Sequence, residues 1–178
     1  MNTKPVPGRL LLLGVFVLAG CQDGARTDGE DASGLSRPLP LLRQAHGNDP
    51  SLRVPDVMLI RSADELKRLG SRQLYNLRID FRREHLVVVA LGQRPTSGYW
   101  VSIEAVQEAG SVLYVQGRAN RPGPGKSVAQ ALTYPFCAAV VPRSRASLVH
   151  SEIKSVEGQA PPWEPGAPAS GDADSTAP

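Results

Sequence analysis

Between residues 51 and 157, hydrophobic and polar positions alternate or form short apolar runs, a pattern typical of β-strands. This pattern predicts strands at residues 57–60, 86–91, 99–106, 112–118, 136–141 and 148–156. The run at 86–91 is apolar throughout, which predicts a central strand covered on both faces. A turn at 108–110 joins two of the strands, so these are expected to form a hairpin.

One helix is predicted early in this region. Ser62 offers an acceptor at the N-cap, and Glu65 follows three residues later, as in a capping box. Leu66 and Leu69 form an apolar stripe, and Gly70 is a stop signal. A second helical turn or a loop is expected around residues 72–77. The predicted class is α+β: a mostly antiparallel β-sheet, sandwich-like or half-barrel, with one early helix.

The segments on either side of residues 51–157 have a different composition. Residues 21–50 are rich in Gly, Asp, Ser and Pro, which predicts a flexible tether. Residues 158–178 form an acidic Pro/Ala/Gly-rich tail that is expected to be disordered. Trp163 is the single aromatic residue of this tail, and it either docks on the domain or has no structural role.

The N-terminus is typical of an export signal over residues 1–20. Lys4 and Arg9 precede an apolar run, 10–18, that is shorter than the ~20 residues needed to span a bilayer. Leu18-Ala19-Gly20-Cys21 is similar to the lipobox of bacterial lipoproteins, in which the cysteine is lipidated. We therefore expect Cys21 to attach the chain to a membrane; the alternative is a plain secretory signal. Gln22, rather than Asp, follows the cysteine, which favours the outer membrane by resemblance to enterobacterial sorting.

The two cysteines are not expected to form a disulfide. If Cys21 is lipidated, Cys137 has no partner within the chain. Cys137 lies in an apolar segment, which predicts a buried structural thiol rather than a nucleophile.

The charge is only mildly basic. The chain has 20 Lys+Arg against 17 Asp+Glu, a formal net charge of +3. This excess is too small to indicate a nucleic-acid partner. It is concentrated as arginine in residues 51–156, whereas the tail is acidic. These arginines form either a solvated surface or a face for an acidic protein or an anionic envelope polymer.

The sequence contains no pattern typical of a catalytic or metal site. The histidines lie in unlike segments without zinc-site spacing: His46 (in the predicted tether), His85 and His150. Ser97 precedes Gly98, but nothing marks a base for it. The segment at 121–127, RPGPGKS, ends like a phosphate loop, yet Asn120 stands where that loop needs glycine. We therefore expect no enzyme activity, no cofactor and no bound metal.

Three motifs follow one another in an order that identifies a family. They are Ile79-Asp80-Phe81, Gly92-x-Arg94-Pro95-Thr96-x-Gly98-Tyr99 and Gln130-Ala-Leu-Thr-Tyr-Pro-Phe136. Together they resemble the C-terminal domain of the protease complex-subunit PrcB family over about residues 57–156. Members are typically bacterial envelope lipoproteins, and the founding example is an accessory component of a surface protease complex. The resemblance implies a non-catalytic protein that binds, and stabilises, a protease or another envelope protein.

The stretch Gly92–Trp100 is the best candidate for partner binding. Strand alternation places Tyr99 on the core face with Val101, Ile103 and Ala105, and it places Trp100 on the outer face. An exposed Trp close to an Arg is typical of binding hot spots, unless another layer covers it. The loop at 121–125 could lie at the same end of the sheet. The candidate partner-binding residues are Arg94, Pro95, Thr96, Ser97, Gly98, Tyr99, Trp100, Arg121 and Lys126.

Two other functions remain open. Pro95–Tyr99 has a fainter similarity to a loop of chagasin-type cysteine-protease inhibitors, although Arg94 stands where those inhibitors have Asn. The protein could then be a protease inhibitor that uses Gly92–Trp100 as a wedge. Alternatively, it could be an anchored module that binds glycan or peptidoglycan through its arginines.

Overall fold

A computed structural model describes residues 36–164. The predicted signal peptide, Cys21, the first part of the tether and the last part of the tail lie outside this range. The described chain forms strands β1 (Arg37–Leu39), β2 (Arg43–Asn48) and β3 (Asp56–Ile60), helices α1 (Ala63–Leu69) and α2 (Arg72–Tyr75), and strands β4 (Glu84–Ala90), β5 (Trp100–Ala109), β6 (Val112–Arg121), β7 (Pro135–Pro142) and β8 (Leu148–Glu157). Within residues 36–164, no helix has the length and apolar content to cross a membrane.

The strands form two four-stranded sheets that pack as a sandwich. Sheet 1 has the order β1-β5-β6-β8, and sheet 2 has the order β2-β7-β4-β3. Every pair is antiparallel except β6 and β8, which run parallel. The predicted α+β class with mostly antiparallel sheet is confirmed, in its sandwich form.

Two apolar layers lie on opposite faces of sheet 2. The first fills the space between the sheets and includes Val87 and Val89 of β4 and Val101 of β5. The second lies under the helices, where Leu66 and Leu74 pack against the opposite face of β4. The prediction that this strand is covered on both faces is therefore confirmed.

The first helix begins and ends as predicted, and a second one follows it. The Ser62 hydroxyl accepts a hydrogen bond from the Glu65 amide at 3.2 Å, and Gly70 closes α1 in the left-handed region at φ 73°. Ser71 caps α2 by accepting from the Leu74 amide, and its own hydroxyl donates to the carboxylate of Asp49. Of the two alternatives expected around residues 72–77, the helical turn is the one that forms, and its cap residue Ser71 is held by Asp49, 22 positions earlier.

The predicted tether extends too far along the chain. Residues 37–39 pair with β5, and residues 43–48 pair with β7, so both segments belong to the sandwich. These strands lie at the edges of their sheets, and half-exposed edge strands do not need a regular apolar pattern. His46 accordingly lies in β2 and not in a tether.

A β-bulge changes the side-chain alternation of β5. The register with β6 shifts between Ile103 and Ala105, so Val106 rather than Ala105 joins the core between the sheets. The prediction that Ala105 shares the core face with Ile103 is therefore wrong, because a bulge inserts one residue into the alternation.

Candidate functional site at the loop end of the sandwich

One end of the sandwich brings the predicted site segments together. We call it the loop end: it is formed by the connections 91–99 and 122–134 and by residues 158–164, which follow β8. The loop at 121–125 was expected at the same end as Gly92–Trp100, and the structure confirms this placement.

Backbone hydrogen bonds join the first two connections. The Arg94 amide donates to the Thr133 carbonyl at 2.8 Å, and the Thr133 amide donates back at 2.9 Å. The Ser97 amide donates to the Ala129 carbonyl at 3.0 Å, and the Ala129 amide donates to the Ser97 hydroxyl at 2.9 Å. The Thr133 hydroxyl donates to the Thr96 carbonyl at 2.8 Å. The second and third motifs of the family resemblance, at residues 92–99 and 130–136, therefore hold each other in place.

We call these two hydrogen-bonded connections, 91–99 and 122–134, the clasp. Arg94 and Tyr99 contact each other within it. The Arg94 guanidinium carbon lies 5.7 Å from the centroid of the Tyr99 ring, a cation–π distance. Tyr99 is partly buried against the core between the sheets, which confirms its predicted inward orientation. Arg94 therefore helps to hold the turn in which it lies.

Trp100 does not protrude into solvent. Its side chain is on the outer face of sheet 1, as alternation predicted, but the residue is only 6% exposed. The indole Nε1 donates to the Gln159 carbonyl at 3.0 Å, and Trp163 packs edge-on with ring centroids 5.9 Å apart. The expected exposure of Trp100 is wrong, because residues 158–164 form the covering layer that was the alternative. The inhibitor hypothesis loses the protruding aromatic residue on which it relied.

The first part of the predicted disordered tail is ordered. The Gln159 amide donates to Asn120 Oδ1 at 3.0 Å, and the Gly158 amide donates to the Arg121 carbonyl at 2.9 Å. Trp163 stacks on His46 with ring centroids 3.7 Å apart, and partial burial lowers the pKa of this histidine. Disorder was predicted from residue 158 onward. For residues 158–164 this prediction is wrong, because polar and aromatic contacts hold the segment against the domain.

A cavity of about 460 Å³ lies between the clasped loops and this tail segment. Four of the predicted site residues line it: Gly98, Tyr99, Trp100 and Lys126. The remaining ones lie around it in different roles. Pro95 is exposed beside the cavity, Thr96 and Ser97 belong to the clasp, and Arg121 pairs with Glu157 at 2.6 Å.

Sequence reasoning missed the roles of two residues at this site, Asn120 and Leu132. Asn120 links both walls, since its amide nitrogen donates to the Gly98 carbonyl while its oxygen accepts from Gln159. Leu132 is 60% exposed at the loop end, although it lies within an apolar-looking motif. The only signal for the tail contact was Trp163, an aromatic residue that is isolated in a Pro-rich segment.

Residues 36–164 contain no group of three or more side chains suited to a metal ion. Cys137 is 2% exposed, and burial raises the pKa of its thiol to about 11, so the predicted buried structural thiol is confirmed.

Fold and site together define an α+β domain with two mostly antiparallel sheets and an aromatic-lined cavity at one end. Residues 85–142, which run from β4 to the end of β7, match the model of the family described as PrcB C-terminal. The family resemblance seen in the sequence is thereby confirmed over this segment, which is similar to the PrcB C-terminal domain. Searches of the curated proteins and of the solved structures returned no match.

Proposed function

We propose that this protein is a non-catalytic accessory subunit that binds, and stabilises, a protease or another protein of the bacterial envelope. A lipid on Cys21 would hold it at the outer membrane. The family match supports a role beside a protease complex. The lipobox-like segment before Cys21 supports the anchor, which lies outside the described residues.

The observation that carries the proposal is the clasp at the loop end. Two of the three motifs of the family resemblance, at residues 92–99 and 130–136, lie within the matched segment and together build one surface. Pro95, Lys126 and Leu132 are exposed on that surface. A rigid backbone that presents a large apolar side chain beside a cation loses little conformational entropy on binding.

The tail indicates which kind of partner segment would fit the cavity. Trp100 and Asn120 bind the carbonyl and the amide of Gln159, so they recognise main-chain groups rather than a particular side chain. Trp163 adds an aromatic contact after two prolines. We infer that residues 159–163, which form one wall of the cavity, take the place of an extended, proline- and aromatic-containing segment of the partner.

The partner surface can be tested with two matched leucine variants of the full chain. Leu132 at the loop end and Leu148 at the start of β8 are 60% and 62% exposed. In pull-downs from envelope extracts, Leu132→Ser should reduce recovery of the partner by about tenfold, the factor that ~1.4 kcal/mol represents. Leu148→Ser should leave recovery unchanged. If the unmodified chain recovers no protein partner, the proposal is wrong. If both variants recover the partner equally, the partner does not bind at Leu132.

The competing role of the tail needs a separate measurement on the recovered partner. A chain that ends at Glu157 lacks every contact to Trp100 that residues 158–163 provide, so it should bind the partner more tightly than the full chain. A chain that ends at Glu164 keeps those contacts and serves as the control. Weaker binding by the shorter chain would mean that the tail is part of the partner surface rather than its competitor.

A further inference from the structure

The other end of the sandwich contains a second, larger cavity. We call it the arginine cavity: it has a volume of about 750 Å³ and is lined by Arg61, His85, Arg143, Ser144, Arg145 and Ala146. It lies where β3 and β7 end and β4 begins, whereas the loop end lies where β4 ends and β7 begins.

The three arginines of this cavity lack carboxylate partners within residues 36–164. Elsewhere in this part of the chain, ion pairs link Arg37 to Glu108, Arg43 to Glu84, Arg118 to Glu104 and Arg121 to Glu157. Arg61, Arg143 and Arg145 form no such pair, and the Nε atom of Arg61 is buried without a hydrogen-bond partner. Three arginines therefore line one cavity, two of them exposed to solvent, and none is at ion-pair distance from a carboxylate of the described residues.

The two nearest carboxylates are occupied by other groups. Glu65 accepts from the Arg61 amide at 2.7 Å, which completes the N-terminal cap of α1. Glu108 accepts from the Ser144 hydroxyl at 2.7 Å and from the Arg145 amide at 2.6 Å. Both carboxylates therefore hold backbone amides of residues that line the cavity.

His85 adds a neutral donor to the same wall. It is 4% exposed, and its Nδ1 accepts from the Ser144 amide at 3.3 Å. Burial lowers the pKa of His85, and the charges of Arg143 and Arg61 lower it further, against the opposing effect of Glu65 and Glu108. Because Nδ1 is an acceptor, the neutral ring carries its proton on Nε2, where it can be donated.

We propose that the arginine cavity binds an oxyanion group, a phosphate or a carboxylate, of a small ligand. Guanidinium groups match the oxygen pairs of both groups, and the resulting bonds are charge-assisted. The volume lies within the range of about 300–1,000 Å³ that is typical of small-molecule sites, so the oxyanion would be one end of a larger molecule. This site is separate from the loop end, and its existence does not depend on the proposed partner binding.

Calorimetric titration of the full chain with inorganic phosphate and with citrate tests the proposal. At least one of the two should bind with saturation at one site, and the tighter one identifies the oxyanion. Arg143→Gln and Arg145→Gln should each weaken this binding by about tenfold or more, since each removes a charge-assisted bond. Arg72→Gln removes an exposed arginine of α2, outside the cavity, and should change the affinity less than about twofold.

The titration of His85 supplies a second readout that does not depend on the stability of the variants. A bound anion favours the imidazolium, so the pKa of His85, followed by NMR, should rise when the ligand is added. The NMR signals of His150, which lies in β8 outside the cavity, should not shift when the ligand is added. Absence of saturable binding by both anions, an equal loss of affinity in Arg72→Gln, or an unchanged pKa of His85 would each overturn the proposal.

Discussion

At the scale of single residues, the closest backbone approach in sheet 1 is at Gly117. A Cβ atom added to this residue would lie 2.1 Å from the Ser102 carbonyl oxygen, next to the bulge in β5. Only glycine allows the two strands to come this close, so the bulge and Gly117 depend on each other.

Gly117→Ala should therefore destabilise the domain. We expect the free energy of unfolding in urea to fall by roughly 1–3 kcal/mol, since the backbone must shift to relieve the overlap. Gly110→Asn is the control: Gly110 has φ 57° and open space around its Cα, a conformation that Asn tolerates. If both variants unfold at the same urea concentration, the close approach does not limit stability.

Glu108 makes the stability of the domain sensitive to acid. Burial tends to raise the pKa of this carboxyl, but hydrogen bonds from Ser144, Arg37 and the Arg145 amide outweigh burial and lower it from 4.5 to about 2. A carboxyl with a lowered pKa stabilises the fold above its unfolded pKa and loses this effect as the pH falls through its folded pKa. Part of the stability should therefore disappear between pH 4.5 and about 2.

Glu108→Gln tests this acid sensitivity. The variant should be less stable at pH 7 by about 1–3 kcal/mol, because the hydrogen bonds to Ser144 and Arg145 lose a charged acceptor. Its stability should also decline less steeply than that of the unmodified protein between pH 4.5 and 2. Urea unfolding at a series of pH values measures both effects, and parallel pH profiles would contradict the role given to Glu108.

At the scale of elements, residues 158–164 act as a strap across sheet 1. They contribute the carbonyl that binds the indole of Trp100 and the Trp163 ring that packs against it. Such contacts keep a large aromatic surface out of water, which stabilises both the strap and the strand beneath it.

Removal of this strap should expose Trp100. In a chain that ends at Glu157, we expect the tryptophan emission to move to longer wavelength and the free energy of unfolding to fall by roughly 1–3 kcal/mol. A chain that ends at Glu164 keeps both tryptophans in contact and should match the full chain in both measurements. Unchanged emission from the shorter chain would show that some other part of the protein covers the indole.

The predictable elements are those whose own residues specify them. The apolar runs of β4 and β7 and the capping box of α1 can be read locally, and all three form where they were expected. The edge strands β1 and β2 were missed because their exposed side chains leave no regular apolar pattern. The burial of Trp100 could not be predicted from the local sequence either, because it depends on Gln159, which is 59 residues away.

At the scale of the whole molecule, we propose partner binding at the loop end, oxyanion binding in the arginine cavity and membrane attachment through the N-terminal segment. The loop end presents Leu132 and Lys126, and the arginine cavity concentrates positive charge at the opposite end. An anchor at Cys21 would precede the first described strand by about fifteen residues, a length of chain that can separate the domain from a membrane surface.

Cys21→Ala should release the protein from membranes. We expect the unmodified chain in the membrane fraction and the variant in the soluble fraction after cell lysis, because acyl chains supply the anchoring energy. Cys137→Ala removes the other cysteine, which is buried in β7, and should leave the protein membrane-bound. Membrane association that survives Cys21→Ala would contradict lipidation at this residue.

The parallel pairing of β8 with β6 determines when the sandwich can finish folding. Partners in this ladder are 36 residues apart, from Val112 with Leu148 to Arg121 with Glu157. Until the last strand arrives, β6 is a long edge strand with open hydrogen-bonding groups, which is the kind of edge that pairs with other chains. Contacts of this sequence separation form slowly, so a nascent or truncated chain that lacks β8 should be prone to aggregation. The C-terminal strand is thus expected to protect the newly made protein as well as to complete sheet 1.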